Sequence, residues 1–156
     1  MAREQTIATC SLADELAYAE QFLRQPTVHL ALDPEFVMAE SSDIPGLDLG
    51  HITGPQINTV QAWLHKIALE AGEWKILVSH QFNDRMMGQK EELVDYQSVE
   101  LVWDADGFGV PHAKIADYVQ YAGEPGYEYS GLKLFYRYDQ PLMSPSQVIS
   151  LEPPPA

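Results

Sequence analysis

Four short apolar runs, each closed by polar residues, set the pattern of this chain: residues 28–32, 75–79, 99–103 and 131–136. The first three end in Asp33-Pro34-Glu35, His80-Gln81-Phe82 and Asp104-Ala105-Asp106-Gly107. The fourth ends in Tyr136-Arg137. Continuous apolar runs of this length fit strands buried on both faces. Between them lie segments with helical spacing. Residues 11–25 carry Leu12, Leu16, Ala19 and Leu23 on one face, with Ser11 and Asp14 as a cap and Pro26 as the stop. Thr53 and Gln56 form a second capping box before Ile57, Val60, Leu64, Ile67 and Ala71, and Gly72 ends that helix. Residues 83–96 read as a short helix around Gly88, and Pro111 opens a helix that aligns Ile115, Tyr118, Val119 and Ala122.

A helix, three strand–helix units and a last strand imply a parallel α/β sheet with right-handed crossovers. The expected unit is one domain over residues 1–156. Residues 1–10 form a flexible N-terminus in this reading. Residues 141–156, with Pro141, Pro145 and the run 153–155, form an extended proline-rich tail. The glycine- and proline-containing stretch 39–54 is long for a connection and reads as a rim loop.

Composition removes several functions. The 156 residues carry 9 basic and 23 acidic side chains, a formal net charge of −14 that repels phosphate backbones, so nucleic acid is not an expected partner. No apolar run approaches the roughly 20 residues of a membrane span. A single cysteine, Cys10, excludes an internal disulfide framework and a cysteine-rich zinc site. Phosphate-cradling glycine loops, a GxSxG elbow and an HExxH motif are absent from the sequence.

In parallel α/β folds ligands bind at the carboxyl ends of the strands. That rule assembles Asp33, Glu35, His80, Gln81, Asp104, Asp106, Tyr136 and Arg137 into one expected site. Asp33 or Glu35 supplies a general acid, and Asp104 or Asp106 a nucleophile or base, as in glycoside hydrolysis. His80 and Gln81 bond sugar hydroxyls, Trp103 stacks on the ligand, and Phe108 and Tyr138 are the next choices for stacking. Tyr136 and Arg137 complete the binding residues. No cofactor is required, and no metal ligand is assigned, although His80 with the aspartates suits a divalent metal and a metal-dependent hydrolase. As turn residues, Asp33-Pro34 and Asp106-Gly107 have an equally good bland explanation.

The strings VHLALDPEF, PGLDLGHI, KILVSHQF, VELVWDADGFGVPHAK and GLKLFYRYD together resemble the C-terminal part of a family of bacterial proteins without assigned activity. Many of these are described as lipoproteins or secreted proteins, and they look like glycoside-hydrolase-type (β/α)8 barrels. The resemblance runs from about Leu23 to Pro155. It implies half of a TIM barrel, helix 4 and strands 5 to 8, and a carbohydrate-directed hydrolase-like protein or a non-catalytic carbohydrate-binding module on a degenerate barrel. It also implies export, whereas the chain as given carries no export segment and reads as cytoplasmic. A barrel of this type takes about 250 residues. Four strands therefore call for a homodimer, a partner chain that supplies the missing half, or an open sheet, and the homodimer is the preferred expectation.

Overall fold

The structure is a computed structural model that describes residues 12–38 and 43–155. Helix α1 (Leu12–Leu23) buries Leu16 and Leu23. Strand β1 (Leu30–Leu32) runs into a tight 3-10 turn, Pro34–Phe36. A two-residue strand β2 (Ile52–Thr53) leads into α2 (Gly54–Ala71). There the Gln56 side chain accepts from the Thr53 N–H at 2.8 Å, and Gly72 closes the helix with φ 67°. Strand β3 (Lys75–Gln81), the two-residue β4 (Met87–Gly88), β5 (Val99–Ala105), α3 (Pro111–Tyr121), β6 (Tyr129–Leu132) and α4 (Pro145–Ile149) follow.

The main sheet has the order β1-β3-β5-β6, and every neighbouring pair is parallel. Its strands therefore lie side by side in chain order, as in half of a (β/α)8 barrel. β2 and β4 make a separate small parallel pair.

Packing is one-sided. Strand side chains alternate between faces, and the register opposes Leu77 to Leu101 and Ser79 to Trp103. Leu32, Leu77, Val99 and Leu101 pack with Leu16, Leu23, Ile57, Val60 and Leu64 from α1 and α2. Trp103 and Ala105 pack with Tyr118 and Tyr121 from α3, and with Met143 and Leu151. Ile76, Val78 and Val102 point the other way and belong to neither cluster. Among the described residues, no helix joins a core cluster on that second face.

Three sequence expectations change. Residues 83–96 are not an α-helix but two 3-10 turns, Asp84–Met86 and Lys90–Glu92, on either side of β4. The Asn83 side chain accepts from the Arg85 N–H at 3.0 Å and tightens the first turn, and Gln89 adopts a left-handed φ of 55° that a helix cannot hold. The last strand ends at Leu132 rather than at residue 136. There the Asp139 carboxylate accepts from the Phe135 N–H at 2.8 Å and turns the chain out of the sheet. The tail is not simply extended. Ser144 and Gln147 cap α4, Met143 and Leu151 are buried, and Tyr118 Oη donates to the Pro153 carbonyl. Apolar area drew this segment onto α3, where a composition-based reading saw only prolines. The expected flexible residues 1–10 and the Ser11 cap lie outside the described residues.

Trp103 is fully buried between the sheet and α3, with ring centroids 6.1 Å from Tyr118 and 5.4 Å from Tyr121. It is a core residue and cannot stack on a ligand, in contrast to its expected role. Trp103→Ala should cost about 3–5 kcal/mol of stability, read as a lower denaturant midpoint. An unchanged midpoint would show that this cluster does not hold the sheet to α3.

Candidate functional site

Parity along the strands builds the site. On the face opposite the helices, β3 ends with His80 and β5 with Asp104, and the two residues are direct register partners. Asp106 follows two residues after Asp104 and so returns to the same face. Asp33 follows β1, where its side chain accepts from the Glu35 N–H and shapes the 3-10 turn. The turn explanation holds for Asp33, and the same carboxylate also reaches to 4.0 Å from His80 Nδ1. Gly131 pairs with Asp104 across β5 and β6. A Cβ there would stand 2.7 Å from an Asp104 carboxylate oxygen, so a larger residue would require that carboxylate to move.

His80 is the hub. Its Nδ1 donates to Asp106 Oδ2 at 3.1 Å and lies 4.0 Å from Asp33 Oδ2, while its Nε2 lies 3.9 Å from Asp104 Oδ2. Lys133, just past β6, places Nζ 2.7 Å from Asp106 Oδ1. The sequence reading did not single out Lys133. Its signal was parity: Tyr129, Gly131 and Lys133 alternate onto one face, and Lys133 is a base at a strand end. Glu35 sits at the edge beside a cleft of about 160 Å³ lined by Leu47, Asp48, Leu49 and Phe82.

The carboxyls are driven apart electrostatically. Burial pushes Asp104 up to about 6, against the opposing pull of His80. Burial also raises Asp33, and it raises Glu35 with help from the charges of Asp33 and Asp106. Burial would raise Asp106 too, but its hydrogen bonds to His80 and Lys133 outweigh that and hold it below the usual carboxylate range. The Asp106 bond in turn raises His80 above its ordinary value. One carboxylate is thus held as an anion while Asp104, Asp33 and Glu35 release their protons less readily than usual, and a spread of this kind is what acid–base chemistry uses.

Four expected residues lie elsewhere. Gln81 is fully buried on the helix side, where it accepts from Trp103 Nε1 at 3.1 Å and from Lys90 Nζ at 2.8 Å. It bonds protein groups rather than a ligand. Trp103 shares that face. Tyr136 and Arg137 lie in the turn beyond β6, both exposed, and neither pairs with a carboxylate among the described residues. Tyr136 instead lines a separate apolar groove of about 300 Å³ beside α4, with Leu134, Leu142, Val148 and Ile149. That groove is larger than the cleft at Glu35 but is lined by none of the acid–histidine residues.

Asp33, His80 and Asp106 each offer a ligand atom, and these atoms lie within 4.8 Å of one another. They are the residues that could hold a divalent cation, although Lys133 already supplies a positive charge to Asp106. Among the described residues no helix is long and apolar enough to cross a membrane. No family model matches the chain, and no curated protein or solved structure matches it either.

Ionising Asp104 opposes folding, because the carboxyl titrates near 6 in the folded protein and near 4 when unfolded. Its stabilising protonated state is complete below about pH 4 and is lost as the pH rises through 6. Asp104→Asn should therefore stabilise the protein by up to about 3 kcal/mol at pH 8 and by little at pH 4. Paired thermal melts at the two pH values check this. Equal or lower stability of the variant at pH 8 would contradict the buried environment of Asp104.

Proposed function

We propose that this chain is a carbohydrate-directed, glycoside-hydrolase-like protein whose site is the acid–histidine cluster. One observation carries the reading: three carboxylates from two different strand ends gather around His80 on the sheet face that the helices leave free. The DPEF, HQF and DADGFG strings resemble a bacterial family without assigned activity that looks like glycoside-hydrolase-type barrels, and this supports the substrate class. It does so by analogy of fold.

His80 separates the carboxylates. Asp104 lies on its Nε2 side, and Asp33 and Asp106 lie on its Nδ1 side. Asp104, raised furthest, acts as the general acid toward a leaving oxygen. Asp33, with Glu35 beside it, acts as base or nucleophile. Asp106 orients His80 and Lys133 and stays ionised. This exchanges the roles that the sequence assigned, on the ground that Asp104 is the carboxyl that most retains its proton.

The reading includes the assembly. Two copies of the four-strand sheet provide the eight strands of a closed barrel. The edges β1 and β6 would then be paired, and Ile76, Val78 and Val102 would face an interior. Light scattering on the eluting protein should give twice 17.5 kDa. A monomer at micromolar concentration would overturn the dimer.

A second reading, a metal-dependent hydrolase, is favoured by the Asp33, His80 and Asp106 geometry. A cation held there would polarise a substrate oxygen or activate water. Mn²⁺, Mg²⁺ and Zn²⁺ should then raise the melting temperature, and His80→Ala should abolish that rise. Without any shift the metal reading fails.

Release of reducing ends from neutral polysaccharides tests the main reading. Asp104→Asn and Asp33→Asn should each reduce turnover by at least about 100-fold while the protein stays folded. Turnover that survives both substitutions would refute the acid–base assignment. Sugar binding without turnover in the wild type would instead identify a non-catalytic binding module.

A further inference from the structure

We propose that Phe108 and Tyr138, backed by Phe135, form a platform for the apolar C–H face of a neutral sugar ring beside the acid–histidine cluster. The inference rests on the carbohydrate reading and adds where, and by which face, the ligand is held.

The three rings pack on one another edge-on or tilted. Their centroids are 5.9 Å apart for Phe108 and Phe135, 5.8 Å for Phe108 and Tyr138, and 6.5 Å for Phe135 and Tyr138. Phe108 is 69% exposed and Tyr138 67%, so two large aromatic surfaces face water together. Grouped exposure of this kind marks a contact surface more than scattered apolar residues do. Lys133 joins the platform to the cluster, because its Nζ pairs with Asp106 and lies 4.9 Å from the Phe135 ring centre.

The platform is also held rigid. The Asp139 carboxylate, 2% exposed, accepts from the Gly109 N–H and from the Phe135 N–H, each at 2.8 Å. It thereby ties the loop of Phe108 to the turn of Phe135 and Tyr138. Lys114, 1% exposed, sits 3.4 Å from Asp139 and donates to the Gly107 carbonyl. A buried ion pair is an expensive way to gain stability. Here it aligns two loops, which is what a preorganised binding surface requires. Two ammonium groups lie over Phe135, Lys133 and Lys114 at 4.9 and 5.5 Å, so this ring serves as the base and the other two remain for contact.

The ligand's charge follows from the surroundings. The carboxylates nearby and the net charge of −14 repel phosphates and acidic sugars. A neutral pyranose offers an apolar C–H face to the rings and hydroxyls to the carboxylates.

Saturation-transfer NMR with the tetrasaccharides of cellulose, xylan, mannan, chitin and starch tests this. The expected result is saturation of the C–H protons on one ring face for at least one of them. Phe108→Ala and Tyr138→Ala should each weaken binding by about five- to ten-fold, with unchanged melting temperature, and Tyr138→Phe should retain it. If a sugar binds and both alanine variants bind it equally well, the platform is refuted while the carbohydrate reading stands. If none of the five binds, both are refuted.

Discussion

The parallel pairing of β3 with β5 is the constraint on which the site depends. It sets His80 beside Asp104, and the two-residue period of a strand then carries Asp106 onto the same face. A slip of one residue would turn this face toward the helices and expose Leu77, Leu101 and Trp103. The core therefore enforces the register that brings His80, Asp104 and Asp106 together. Gly131 adds a local condition, since a side chain there would have to displace the Asp104 carboxylate from its present position.

Electrostatics then differentiates groups that the sequence makes look alike. Asp33, Asp104 and Asp106 are the same residue type at equivalent strand ends. Asp106 alone has both His80 and Lys133 within bonding range, and it alone of the three falls below the ordinary range. Asp104 loses water without gaining a close hydrogen-bond partner, so burial dominates. Lys133 thus stands where it discriminates between the carboxyls. Lys114 does comparable work away from the cluster, where its pairing with Asp139 fixes two loops.

Much of this was legible before any coordinates. The apolar runs mark the strands, and the polar residues after them include His80 and the three carboxylates that gather around it, because strand burial and strand-end placement both act through short-range pattern. Thr53, Gln56 and Gly72 delimited α2 through capping chemistry, which is equally local. The errors have physical causes. Gln81 and Trp103 were placed in the site because they adjoin His80 and Asp104 in sequence, whereas adjacent strand residues face opposite sides. Lys133 escapes the sequence pattern because apolar spacing carries the last strand to residue 136, whereas its true end at Leu132 precedes a turn held by Asp139 from beyond the strand. Residues 83–96 and the tail were misjudged because their structure follows from contacts with β2, α3 and Trp103 that no local window contains.

The central claim is that His80, Asp106 and their neighbours converge at one mouth of the sheet. The most direct measurement is an NMR titration of the His80 ring in the wild type and in Asp106→Asn. The account predicts a wild-type midpoint above the ordinary histidine value of about 6.5, and a clear fall in the variant. A midpoint at or below that value, unmoved by the substitution, would contradict it.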